Sequence, residues 1–177
     1  MAVAPEQAPG ANPTVGQQVI AFIEVLLLSV WLGSMIFFSF AVAPSAFDVL
    51  PSRELAGKMV TSAISKVEVI GLIIGPLLLI IQIFGWRARH VSGTEKVIRA
   101  SLLVLMIAMA ALSHFWISAR MVSLRQAMGG MIDDLPAKDP LRIQFNDLHQ
   151  YSVALMGTAM VAGFVVLFLT VRSYIKR

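Results

Sequence analysis

Four long apolar runs constrain this chain more than any other feature. They cover residues 19–42, 67–86, 97–119 and 151–171. Each is about as long as the roughly 20 residues that a helix needs to cross a bilayer. Leu, Ile, Val, Ala and Met dominate them, which suits helices; strands of a membrane barrel are shorter and alternate in polarity. The composition agrees. Of the 177 residues, 58% are hydrophobic and 14% are charged, with mean hydropathy +0.81. A soluble domain carries about 25% charged residues. So little polar surface cannot cover a water-facing globule, which excludes a soluble enzyme, a free nucleic-acid binder and a disordered chain. The expected fold is an all-α integral membrane bundle of four helices, with the lipid bilayer as its surroundings.

The net charge is +4 and the pI about 9.9. In a membrane protein such an excess reads as Lys and Arg flanking the spans, with no nucleic-acid partner. The absence of cysteine excludes disulfides, thiolate metal sites, iron–sulfur clusters and cysteine catalysis. Residues 1–16, rich in Pro and Gly, read as a flexible tail, and residues 17–177 as a single four-span domain. No Lys or Arg precedes the first span, which is longer than the 7–15 residues of a signal-peptide core, so it reads as a retained helix. Four spans put both termini and the 87–96 connection on one side. That side holds Arg87, Arg89, Lys96, Arg99, Arg172, Lys176 and Arg177. The other holds as many: Arg53, Lys58, Lys66, Arg120, Arg125, Lys138 and Arg142. The first set lies tighter against the span ends, which places both termini in the cytoplasm.

The long connections carry structure of their own. Ser52 after Pro51 reads as an N-cap, and Leu55, Met59 and Ala63 recur every four residues. This predicts a short interfacial amphipathic helix between the first two spans. The third helix should run on past Arg120 to about Met128, stopped by Gly129-Gly130. After a polar turn from Asp133 to Asp139, Asp139-Pro140 reads as an N-cap followed by a helix-opening proline.

Ser29-xxx-Gly33 and Gly71-xxx-Gly75 place small residues one turn apart, where helices can approach closely. Pro76 predicts a kink. Trp31, Phe37, Phe38 and Trp116 are the expected large core residues. The pairs Met106/Met109, Met128/Met131 and Met156/Met160 would suit copper, but Met is ordinary core filler, and they read as filler here.

Polar groups inside spans face the bundle interior or a wet cavity. Glu24 is the one acid well within a span; Gln82 and Ser101 lie at similar depth on the same side. Glu24 is either a structural residue, one that snorkels or is protonated and hydrogen-bonded to Gln82 or a backbone carbonyl, or a proton-carrying or ligand-binding acid. Near the opposite side lie His114, His149 and Glu68. Arg142, Phe145, Asn146 and His149 share one stripe of the fourth helix, and His114, Ser118, Met121 and Arg125 share another of the third. If those stripes face each other, the imidazoles converge. Two His with a carboxylate would suit a divalent metal, and two His would suit haem iron. The competing reading is a pair of interfacial, hydrogen-bonded histidines. His90, in the basic connection, reads as solvated. No nucleotide-binding loop, nucleophile elbow or catalytic carboxylate pair is present.

The block Trp31-Leu32-Gly33, Phe37, Phe38, Ala43-Pro44, Phe47, Leu50-Pro51 and Ala56-Gly57, with the late block Phe145-xx-Leu148-His149-xx-Ser152, resembles the domain of unknown function 4149, the bacterial relatives of transmembrane protein 205. The resemblance extends from about Val19 to the fourth span. It implies a small multi-span protein of a bacterial cytoplasmic membrane with no agreed activity. The chain is also distantly similar to copper-resistance D and HemJ-type four-helix proteins. There a His often stands seven residues before the Trp; here that position is Glu24, so their haem or copper ligand is not carried over.

The leading expectation is a protein without a catalytic site, serving as an accessory or scaffold subunit, or as a homo-oligomer. The alternatives are a haem or metal binder using His114 and His149 with Glu68 nearby, and a small proton-coupled transporter using Glu24. No cofactor is required by the leading reading.

Overall fold

The computed structural model describes residues 14–85, 92–129 and 135–175. The N-terminal tail up to residue 13, Trp86, the basic stretch with His90, Gly130, Met131 and the Asp133 end of the polar turn lie outside the described residues. Four rods, Val15–Val49, Arg53–Gly85, Gly93–Ala127 and Pro140–Tyr174, are long and apolar enough to cross a membrane. They have 33 or 35 residues each. At 1.5 Å per residue such a rod is about 50 Å long, while the hydrocarbon core is about 30 Å thick. Part of each rod therefore extends beyond the lipid tails.

The first rod opens with α1 (Val15–Phe37). Thr14 and Gln17 cap its start reciprocally, each side chain accepting from the other's backbone N–H. A π-turn, Phe38–Val42, follows, and α2 (Ala43–Val49) completes the rod. The Ala43 N–H donates to the Phe38 carbonyl, five residues back. Pro44 has no N–H to offer one turn back, and the widened turn just before it accommodates that loss.

α3 (Arg53–Gly85) replaces the expected pair of interfacial helix and second span. Ser52 caps it as expected, accepting from the Leu55 N–H at 3.2 Å. No Gly or Pro interrupts residues 58–70, so nothing ends a helix there, and no distinct interfacial helix forms. The predicted stripe is also turned outward. Leu55 and Met59 are exposed, and Ala56 and Gly57 are buried instead. α3 continues through Pro76.

The third rod comprises α4 (Gly93–Leu112), a second π-turn (Ser113–Ser118) and α5 (Ala119–Ala127). Ser92 caps α4. Gly129 ends the rod in the left-handed region at φ 67°, the terminus expected there. α6 (Pro140–Ile175) starts where Asp139 accepts from the Leu141 N–H at 2.8 Å.

Each rod packs on its chain neighbours and α6 closes against α1, so α1 and α4 are diagonal. The membrane core gathers Leu28, Trp31, Leu32, Leu78, Leu103, Met106 and Val166 among others. A second core, built on Ile117, Leu124, Met128 and Leu148, joins the ends of the third and fourth rods. Two expected core aromatics are not in it: Phe37 is 66% and Trp116 59% exposed, whereas Trp31 and Phe38 are buried. The small-residue pairs also divide. Ser29 and Gly33 face outward, with open space over Gly33, so they form no crossing within the bundle. Gly71 and Gly75 are buried, and a Cβ on Gly71 would stand 2.5 Å from the Trp31 Nε1.

Candidate functional site

Two buried polar clusters occupy different levels of the bundle. The first draws on all four rods. Glu24 of α1 is fully buried and ion-paired with Arg99 of α4, itself fully buried. The Gln82 amide of α3 donates to the same carboxylate oxygen at 3.3 Å. The Tyr174 hydroxyl of α6 donates to the other oxygen at 2.7 Å. Arg99 also reaches Ser173 Oγ at 3.5 Å. Gln82 Oε1, Arg99 Nε and Thr170 Oγ1 are buried with no hydrogen-bond partner. The Glu24–Gln82 contact was expected from depth alone. Ser101 was expected to join them but is exposed; Arg99, two residues earlier, takes the inward position. Arg99 read as a flanking charge in the sequence, and its only signal was its place within a turn of the third span.

The second cluster surrounds Glu68 of α3, which is buried. Ser113 Oγ donates to one carboxylate oxygen at 2.5 Å, and Ser118 Oγ lies 3.2 and 3.3 Å from the two oxygens. His114 Nδ1 stands 3.1 Å from the second oxygen, and its side chain is partly exposed. All three partners lie on the π-turn. An α-helix turning 3.6 residues per turn would hold Ser113 and Ser118 about 140° apart. The five-residue bonding of a π-turn rotates them toward one face, where one carboxylate takes both. Such turns are frequent at functional sites.

The expected His114–His149 pair does not assemble. His149 is exposed on α6, and among the described residues no group of three His, Cys, Asp or Glu is placed to hold a metal ion. Glu68 and His114 are brought together, and His149 is left out of the set. Arg125, on the third-rod stripe, instead stacks over the Phe145 ring at 5.5 Å, donates to Thr61 Oγ1 at 3.2 Å and fills the space above Gly57. Pro44 and Phe47 are exposed.

Glu68 and Ser113 also line a cavity of about 30 Å³ beside Trp31, Met35, Met106, Met109 and Met156. That is room for one or two water-sized occupants. The gathering of methionines from three rods was not legible as a site in the sequence.

A family description, Domain of unknown function (DUF4149), matches residues 26–129, more than half of the chain. The chain belongs to the DUF4149 family. The match takes in the Trp31, Gly33, Pro44 and Phe47 block, both small-residue positions of α3 and the whole Glu68 cluster. It stops before Phe145 and His149, so the late block lies outside it. Nothing among the curated proteins or the solved structures matches the chain.

Proposed function

We propose that this DUF4149 protein is a non-enzymatic accessory or scaffold subunit of a larger membrane assembly, in a bacterial cytoplasmic membrane with both termini cytoplasmic. The observation that carries the reading is the Glu24 cluster. Its carboxylate accepts from residues of the three other rods. An acid that accepts on both oxygens from three other rods joins helices. A buried ion pair adds little net stability, and its best-attested use is to set register. A fixed register gives the outer faces of the rods constant shape, which a subunit interface needs. The same engagement weighs against a proton-coupled carrier working through Glu24. Purification from the native membrane in mild detergent, with cross-linking, tests the proposal. Stoichiometric partner proteins are expected, and a monodisperse free monomer would remove the reading.

A second reading, a metal or haem binder, is favoured by the contact between His114 and Glu68. It needs further ligands, because His149 is not beside them. An absorption spectrum and metal analysis of the purified protein test it; a Soret band or bound divalent metal lost in His114→Ala is its expected sign. Kinship with transmembrane protein 205 rests on the Trp31 to Gly57 block together with Phe145-xx-Leu148-His149-xx-Ser152, and the distant likeness to copper-resistance D and HemJ-type proteins on Trp31-x-Gly33; both belong to this proposal.

A further inference from the structure

The cavity beside Glu68 is lined by thioethers that neither reading uses. Met35 comes from α1, Met106 and Met109 from α4, and Met156 from α6, while Glu68 enters from α3. All four rods therefore contribute to one small space. Methionine normally fills core gaps because its side chain is flexible and adapts to irregular space. Here flexible side chains surround a space and leave it open. Voids in a packed core cost free energy, and flexible neighbours would be expected to close them. One thioether is held in place and a second is given room. Ser39 Oγ donates to Met156 Sδ at 3.2 Å, leaving the sulfur its second lone pair. Gly163 gives Met106 its room: a Cβ there would stand 3.1 Å from the Met106 methyl and 3.2 Å from Leu32.

We propose that this cavity binds one soft monovalent cation, Cu(I) or its surrogate Ag(I), through the thioether sulfurs of Met35, Met106, Met109 and Met156, with the Glu68 carboxylate as counter-charge. Thioethers are soft, neutral donors that select Cu(I) over hard divalent ions. The single carboxylate on the cavity wall matches a single positive charge. A divalent ion would leave an uncompensated charge in a low-dielectric interior, which is costly. The volume suits a bare ion. Ser113, Ser118 and His114 hold the carboxylate in position by hydrogen bonds, the supporting role that partners of metal ligands play elsewhere. The proposal stands independently of the scaffold reading, since a scaffold can be free of metal and an isolated monomer can still bind Cu(I).

The test is an anaerobic titration of the full-length protein in mild detergent, with Cu(I) supplied from a chromophoric Cu(I) chelator. One Cu(I) per chain should be withdrawn from the chelator. Met106→Leu with Met156→Leu removes two donors at nearly constant volume, a change that cores tolerate well. The double variant should lose more than the about 10–100-fold in affinity that follows loss of one supporting partner. Glu68→Gln should fall within about that 10–100-fold range. Met128→Leu, in the other core, should bind as the native protein does. Tryptophan fluorescence and elution volume report whether each variant is folded. The proposal is overturned if the native protein withdraws neither Cu(I) nor Ag(I), if the folded double variant binds equally well, or if Met128→Leu loses as much. Ag(I) in the same competition needs no reductant, so failure of Cu(I) with success of Ag(I) would narrow the site to Ag(I)-like softness, and failure of both overturns it.

Discussion

Arg99 and Glu24 meet across the diagonal of the bundle, and neither side chain retains any exposed surface. Removing one partner leaves the other buried and uncompensated. Arg99→Met should therefore cost about 3–5 kcal/mol. The double variant Glu24→Gln, Arg99→Met should recover most of that loss, because an unpaired charge no longer remains. Thermal unfolding in detergent of the two single variants and the double variant checks this. Additive losses would show that the pair is not coupled.

Gly71 and Gly33 should respond oppositely to the same substitution. A Cβ at Gly71 would collide with the rigid Trp31 indole, whereas one at Gly33 meets nothing within 4 Å. Gly71→Ala should cost about 1–3 kcal/mol, the usual price of overpacking, and should shift the Trp31 emission. Gly33→Ala should be neutral or mildly stabilising. Unfolding midpoints and fluorescence spectra separate the two.

Ser113 and Ser118 should matter only through Glu68. Ser113→Ala removes a donor from a buried acceptor and should cost about 1–3 kcal/mol. In a Glu68→Met background the same change should cost close to nothing, since the acceptor is gone. A double-mutant cycle on unfolding stability measures the difference. Equal costs in both backgrounds would mean that Ser113 acts through packing.

The absence of cysteine makes orientation directly readable. Thr94, in the first turn of α4, and Lys138, in the turn before α6, are exposed and lie at opposite ends of the bundle. With cytoplasmic termini, Lys138→Cys should react with an impermeant maleimide in intact cells, and Thr94→Cys only after permeabilisation. The reverse pattern would invert the proposed topology.

What could be read from the residues was what local backbone chemistry and length decide. Ser52, Asp139-Pro140 and Gly129 marked helix ends because capping and positive φ depend on a few neighbouring residues. The four spans were legible because a bilayer demands long apolar helices whatever their packing. Family membership was legible in the Trp31 to Phe47 block. Glu24 and Gln82 could be paired by depth, since both sit at a similar level.

Only the tertiary structure decided which face of each helix turns inward. Lipid tails are as apolar as a leucine core, so hydrophobicity does not mark the buried side of a span. That is why Phe37 and Trp116 face outward and Ser29 and Gly33 form no internal crossing. It is also why the Leu55–Met59 stripe faces away from the packed side of α3. Arg99 reaches Glu24 over a separation of 75 residues, which no local pattern encodes. The π-turn at Ser113–Ser118 sets the rotation that brings two hydroxyls and His114 to Glu68 while His149 stays outside. Length and capping chemistry are properties of a segment; rotation about the helix axis is a property of what the segment packs against.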